Sequence, residues 1–232
     1  MFGQYKKIIL AITNVFETGT PKGDYDALAV LPDGAGISYG RSQVTDRSGS
    51  LDHLLYMYRD SKGKYADELW PYMDQLDDPL CPLASNGEFK AILKKAGSDP
   101  IMCRCQDALF EEKYWIPSKN LGEKLGVTYP LCFAILYDIS IQSGIGRIAR
   151  LRRRFPEMPP VRGGTERPWA LALARARFNW ISNYTSSSQR KQKLVRSTAW
   201  RSKVFVDLAE AENWKLELPI KIRSVVIEEE DL

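Results

Sequence analysis

Apolar residues recur at helical spacing over residues 5–16, where Ile8, Ile9, Ile12, Val15 and Phe16 form a stripe that predicts an amphipathic helix. The stripe stops at Glu17-Thr18-Gly19, with Gly19 suited to a left-handed C-terminal cap and Pro21 just beyond. Two extended runs follow, 27–31 and 36–40, joined around Asp33-Gly34, the signature of a β-hairpin. Helical spacing returns over 51–58 and 65–73, interrupted by Ser61-Lys62-Gly63-Lys64, and over 89–96 after a loop at 77–87. A helix over 107–115 is expected to end at Pro117, with Ser118 capping another from Leu121. The nearly unbroken apolar run 130–142 reads as a central helix, followed by helices over 147–154, 168–183 and 198–213 and an extended stretch over 214–227. The pattern as a whole predicts an α+β fold, mostly helical, with two helical lobes, a cleft between them and one small sheet near the N-terminus.

Composition narrows the class. A chain of 232 residues with 44% hydrophobic and 27% charged positions can bury a sizeable core, and it shows no repeat, heptad run or low-complexity tract. No window approaches the roughly 18 consecutive apolar residues of a membrane span, and the N-terminal apolar run carries Thr13 and Asn14 and lacks a small-residue cleavage site. Synthesis in the cytoplasm without a signal peptide is therefore the expectation. The net charge of +4 is unevenly spread, with basic stretches RIARLRRR (147–154) and QRKQKLVRSTAWRSK (189–203) and an acidic end, EEEDL. Such stretches suit an anionic polymer or surface, although a solvated helix face is the commoner reason for them. Cys81, Cys103, Cys105 and Cys132 have no zinc-like spacing, so reduced and mostly buried thiols are expected, with one disulfide left open. His53 is the sole histidine, which confines any Ser-His-Asp chemistry to that residue and makes a histidine metal site improbable. Neither metal nor cofactor is expected.

Candidate chemistry comes from two carboxylates. Glu17 ends the first helix and Asp33 sits in the following hairpin turn, the arrangement by which lysozyme-type glycosidases face two acids across a groove. That chemistry needs unequal acids, one protonated and one ionised. Val15 and Phe16 give Glu17 an apolar setting of the kind that raises a carboxyl pKa, whereas a glycine turn open to water keeps Asp33 charged. On spacing alone a solvated helix end and an ordinary Asp-Gly turn explain both residues equally well, and Asp24 and Asp26 are further candidates.

The order of motifs goes further. KKIILAITNVFETG followed by DGAGIS resembles the start of the family 46 glycoside hydrolases, the chitosanases, of the lysozyme superfamily. LFEEKYWIPSKNLGEKLG, AILYDISIQSG, GGTERPWALALARAR and AENWKLELPIKIRSVVI are similar to later segments of that family, in the same order over nearly the whole chain. The resemblance implies a single catalytic domain, 1–232, of two lobes: 1–20 with 100–232, and 21–99 carrying the hairpin at the active-site cleft. It implies an inverting endo-hydrolysis of β-1,4 bonds, with Glu17 as general acid, Asp33 as base and Ser38, at the family's threonine position, holding the water. It also implies a buried network of Arg177 beside Glu17, supported by Asp138 and an arginine from 152–154, assigned to Arg154.

The chain departs from the family at two positions. Ala35 replaces an arginine in the Asp-Gly turn, and Ser50 falls where an aspartate grips a glucosamine ammonium, with Asp46 or Asp52 as possible substitutes. YGRSQ is instead reminiscent of segments lining peptidoglycan-cleaving relatives, which puts Gln43, and with it the aromatic Tyr39, in weak contact with substrate. The favoured substrate is accordingly peptidoglycan, cut in muramidase fashion on a cell wall reached after lysis or delivery. Chitosan is the alternative, and a non-catalytic basic module for glycan or nucleic acid is the second. A polysaccharide is the expected partner of a monomer that neither binds nucleic acid nor crosses a membrane.

Overall fold

Burial follows the stripe. In the computed structural model, which describes residues 2–31, 36–41, 43–76 and 82–232, helix α1 (Phe2–Thr18) buries Ile8, Ile9, Ile12, Val15 and Phe16. Strands β1 (Leu28–Leu31), β2 (Gly36–Tyr39) and β3 (Val44–Thr45) form an antiparallel sheet with Ser38 opposite Ala29 on one side and Thr45 on the other. The turn joining β1 to β2, with Asp33 and Ala35, lies outside the described residues, as does Cys81. The fold is α+β, mostly helical with this small sheet.

The chain divides into two compact units, residues 14–112 and residues 1–13 with 113–232, so α1 contributes to both. In the first unit, α2 (Ser50–Asp60), α3 (Ala66–Leu69), α4 (Gly87–Gly97) and α5 (Pro100–Phe110) enclose a core of Ile37, Tyr39, Leu54, Tyr58, Phe89, Leu93 and Met102. The motif-based partition sets 100–112 with the larger lobe, whereas α5 packs against α2 and belongs to the smaller unit. Asp99 caps α5 by accepting from the Ile101 amide at 2.9 Å. It also accepts from the Tyr58 hydroxyl at 2.6 Å and the Lys64 amide at 2.8 Å, fastening the loop after α2.

In the second unit, α7 (Pro130–Ser143) is buried on all sides from Pro130 to Ser140, as an apolar run without an amphipathic period requires. It is surrounded by α6 (Ile116–Leu125), α8 (Gly146–Arg152), α9 (Glu166–Ser182) and α11 (Ala199–Glu210), with α11 lying along α9. The Glu166 carboxylate ties the start of α9 to that of α7, accepting from the amides of Thr128 and Tyr129 at 2.8 and 2.7 Å and from the Thr128 hydroxyl at 2.6 Å. The C-terminal stretch is a hairpin of β4 (Ile220–Ile222) and β5 (Val225–Ile227) rather than one strand.

Two expectations about boundaries fail for identifiable reasons. The helix over 107–115 does not stop at Pro117, because a π-helical turn at Glu111–Trp115 resets the hydrogen-bond ladder and leaves Pro117 in the first turn of α6. There a missing N–H costs nothing. Ser118, expected as a cap, is buried instead. Conversely, α10 (Gln189–Arg196) forms in a stretch with no apolar period to announce it, capped by Ser188, and buries no residue.

Candidate active site

Glu17 occupies the last turn of α1, half-buried behind the buried pair Val15 and Phe16. Gly19 then adopts φ of 80° and donates its N–H to the Val15 carbonyl at 3.1 Å, which ends the helix where the sequence places the cap. Asn14 sets the direction of exit. Its amide donates to the Pro21 carbonyl at 2.8 Å, and a side chain on Gly23 would press on it. An asparagine within the buried stripe of an amphipathic helix was the available signal for this role.

The sheet brings Ser38 and Gln43 together. Ser38 is buried, and its hydroxyl donates to Gln43 Oε1 at 2.6 Å, while Gln43 Nε2 donates to the Gly40 carbonyl at 2.9 Å. Gln43 thereby closes the β2–β3 turn, with its backbone at a positive φ of 48°. The rest of YGRSQ described here is internal. Tyr39 is fully buried and donates its hydroxyl to the Leu93 carbonyl at 2.7 Å, so it is a core residue and not a substrate contact. Burial raises its pKa well above the usual tyrosine range. Arg41 pairs with Asp107 and lies over the rings of Tyr25 and Phe110, both at 5.6 Å. Gln106, inserted beside Gly40, accepts from the Arg41 amide at 3.1 Å and donates to the Tyr25 carbonyl at 2.9 Å. Gly40, Arg41 and Gln43 are accounted for by packing and Ser42 lies outside the described residues, which removes the local argument for a peptidoglycan-lining strand.

Two of the positions that bear on ammonium recognition, Asp46 and Ser50, are likewise tied into the local structure. Asp46 is buried and accepts from the amides of Ile37 and Arg47 at 3.2 and 2.7 Å. Ser50 accepts from the Thr45 amide at 3.0 Å and lies 2.6 Å from the Ser48 hydroxyl. Exposed carboxylates occur elsewhere, at Asp24 and Asp26. A hydrogen bond with Asp24 holds the Asp26 carboxyl above the usual carboxylate range, with partial burial and the Asp24 charge adding to it.

Within the other unit, Asp138 on α7 is 1% exposed and carries two guanidinium groups. Arg201 Nε and Nη2 donate to its Oδ1 at 3.2 and 2.7 Å, and Arg177 Nη2 lies 3.4 Å from Oδ2. Arg177 also donates to Gln142 Oε1 at 2.5 Å, Ser202 Oγ at 3.1 Å and Ser143 Oγ at 3.3 Å. Burial pushes its pKa below the usual arginine range, opposed by Asp138 and assisted by Arg201 and Arg147. The second arginine is therefore Arg201 and not Arg154, which is exposed just beyond α8. Its α8 neighbours turn their buried face inward through Ile148 and Leu151, and Arg152 donates to the Phe155 and Pro156 carbonyls at 2.6 and 3.5 Å. Arg201 had a legible signal, since it shares a helix face with Phe205 and Ala209 at i, i+4 and i+8. A cation in such a stripe needs a buried counter-charge.

Other candidates resolve simply. His53 is exposed on α2, Trp115 and Trp169 are core residues, and Cys103, Cys105 and Cys132 are free thiols. Among the described residues, no group of three His, Cys, Asp or Glu could hold a metal ion, and no single helix is long and apolar enough to cross a membrane.

A model of glycosyl hydrolase family 46 matches residues 11–220, a span that contains Glu17, the hairpin and the Asp138 network. The chain belongs to glycosyl hydrolase family 46. This family 46 enzyme is a glycoside hydrolase and is 25% identical over 225 residues to a chitosanase of Bacillus subtilis (strain 168), covering 92% of this chain and 79% of that one. It superposes on a native chitosanase of Bacillus subtilis MY002 with a TM-score of 0.82 at 22% identity, over 97% of this chain and 99% of that one. A Gynuella sunshinyii family 46 chitosanase in complex with chitotetraose gives a TM-score of 0.81 at 25% identity, over 98% of each chain. These relatives favour the chitosanase alternative over peptidoglycan, and nothing found for this family 46 chain supports a muramidase.

Proposed function

We propose that this enzyme is a chitosanase, hydrolysing β-1,4 bonds of chitosan within the chain and with inversion. The observation that carries the reading is the 25% identity to a chitosanase over 92% of the sequence. In this reading Glu17 donates a proton to the leaving oxygen and Asp33 activates a water on the opposite face of the sugar, with the Ser38 hydroxyl orienting that water. An inverting pair needs its carboxyl groups about 6.5–9.5 Å apart to admit the water. Charge supports the polycationic substrate. Although the chain is basic overall, residues 17–33 carry Glu17, Asp24, Asp26 and Asp33 against Lys22 alone. An acidic segment beside the proton donor attracts glucosamine ammonium groups and favours their ionised form. The Asp138 network supplies a rigid, charge-balanced support in the other unit.

The test is product release from chitosan and from purified peptidoglycan, with wild type and Glu17→Gln side by side. Glucosamine oligomers from chitosan, lost by a factor of about 10²–10⁴ or more in Glu17→Gln with the fold retained, are the expected result. Muropeptides without glucosamine oligomers would overturn the substrate, and turnover indifferent to Glu17 would overturn the mechanism.

A further inference from the structure

Away from the charge network, the second unit contains a groove of about 490 Å³ lined by Leu121 and Leu125 of α6, Ile145, Ile148, Ala149 and Arg152 around α8, Pro159, Arg162 and Trp169. Its volume is that of a small-molecule site. The lining is aliphatic and aromatic apart from two guanidinium groups, and no carboxylate is among the lining residues. Exposed apolar side chains continue it outward. Ile145 is 37% exposed, and Met158 and Val161, on the loop that supplies Pro159 and Arg162, are 47% and 60% exposed.

Trp169 is 1% exposed, and its indole nitrogen is closed off from solvent within the wall. Arg152 is held in place by the Phe155 carbonyl at 2.6 Å, the Met158 sulfur at 2.8 Å and the Phe155 ring at 5.0 Å, and no carboxylate pairs with it or with Arg162 among the described residues. The groove thus offers an apolar channel with two cations at its edge.

We infer that this groove binds an anionic amphiphile: a single apolar chain in contact with Leu121, Leu125 and Ile148, whose acidic head accepts from Arg152 and Arg162. Glucosamine oligomers do not fit it, since their ammonium groups would meet two guanidinium groups and no acid. A neutral sugar does not fit either, because the tryptophan is buried in the wall and offers no stacking face. The site is separate from Glu17 and does not depend on which polymer the enzyme cuts.

The probe is sodium laurate, titrated into the intact protein below its micelle concentration and followed through the indole N–H resonances of the six tryptophans. Trp169→Phe identifies the Trp169 resonance. Laurate is expected to shift that resonance saturably, while dodecyl maltoside and dodecylammonium at equal concentration do not. Arg162→Glu, at an exposed position, should weaken laurate binding by about ten-fold or more, the scale of one charge-assisted hydrogen bond. Ala149→Trp, which fills the groove from the exposed side of α8, should abolish binding. Neither change should alter glycosidase activity. No saturable shift, an equal shift with the neutral amphiphile, or unchanged laurate affinity in both variants would overturn the inference.

Discussion

Asp138→Asn removes one charge and almost no volume from the interior. Asp138 and Arg177 are each 1% exposed and Arg201 is 7% exposed, so all three groups have lost their water. The carboxylate is the counter-charge for both guanidinium groups, at 2.7 and 3.4 Å. Asparagine keeps the shape and one acceptor but removes the charge that Arg177 and Arg201 share. Removing one partner of a buried ion pair costs about 3–5 kcal/mol. At about 2–4 °C per kcal/mol for a chain of this size, the melting midpoint should fall by roughly 6–20 °C. The control is Arg175→Gln. Arg175 and Glu210 are also 2.7 Å apart but 54% and 45% exposed, and an exposed pair contributes about 0–1 kcal/mol. Calorimetric melts of both variants at neutral pH and moderate salt make the comparison. Equal distances with very unequal losses are expected. A midpoint for Asp138→Asn within about 2 °C of wild type would refute the reasoning, since the two arginines would then be solvated or neutralised by something else.

Further outcomes follow from the other site elements. Gly40 has φ of 72° and no room for a Cβ against Gln106, whereas Gly49 has φ of 67° and open space. Urea unfolding should show Gly49→Ala losing about 1–2 kcal/mol from left-handed strain alone, and Gly40→Ala more by about 1–3 kcal/mol as the Gln106 hydrogen bonds break; equal losses would refute the packing role. Burial by itself would raise the Asp99 pKa, but the Tyr58 hydroxyl and the amides of Ile101 and Lys64 outweigh it and hold the carboxyl below its usual 3.8. The stability this gives is complete above the unfolded value and lost as pH falls through the lower folded value. The gap between wild type and Asp99→Asn should therefore be widest at neutral pH and shrink below pH of about 4; a gap that does not change with pH would contradict the assignment. Asp24→Asn with Asp26→Asn should raise KM for chitosan several-fold at low salt with kcat little changed, an effect that salt removes; an unchanged KM would rule out ammonium attraction by this segment.

Local patterns were enough to place most of the helices, the hairpin and the end of α1 at Glu17. Each depends on nearby residues: an apolar stripe, a glycine able to take a positive φ, and two extended runs separated by an Asp-Gly dipeptide. The same patterns supported the family resemblance, because the motifs keep their order along the chain. They did not determine what individual polar residues do. Tyr39 looks like a cleft aromatic in the sequence, but β2 turns it into the core, where the Leu93 carbonyl accepts its hydroxyl. Gly40 and Arg41 suggest a substrate strand until Gln106 and Asp107, on a helix far along the chain, account for both. Arg154 stands in a conspicuous run of arginines, but α8 directs Ile148 and Leu151 inward, and the partner of Asp138 comes from α11. Residue type and spacing set each segment's conformation, since those energies are local. Which charges meet, and whether water is excluded when they do, is settled only when segments distant in sequence pack together.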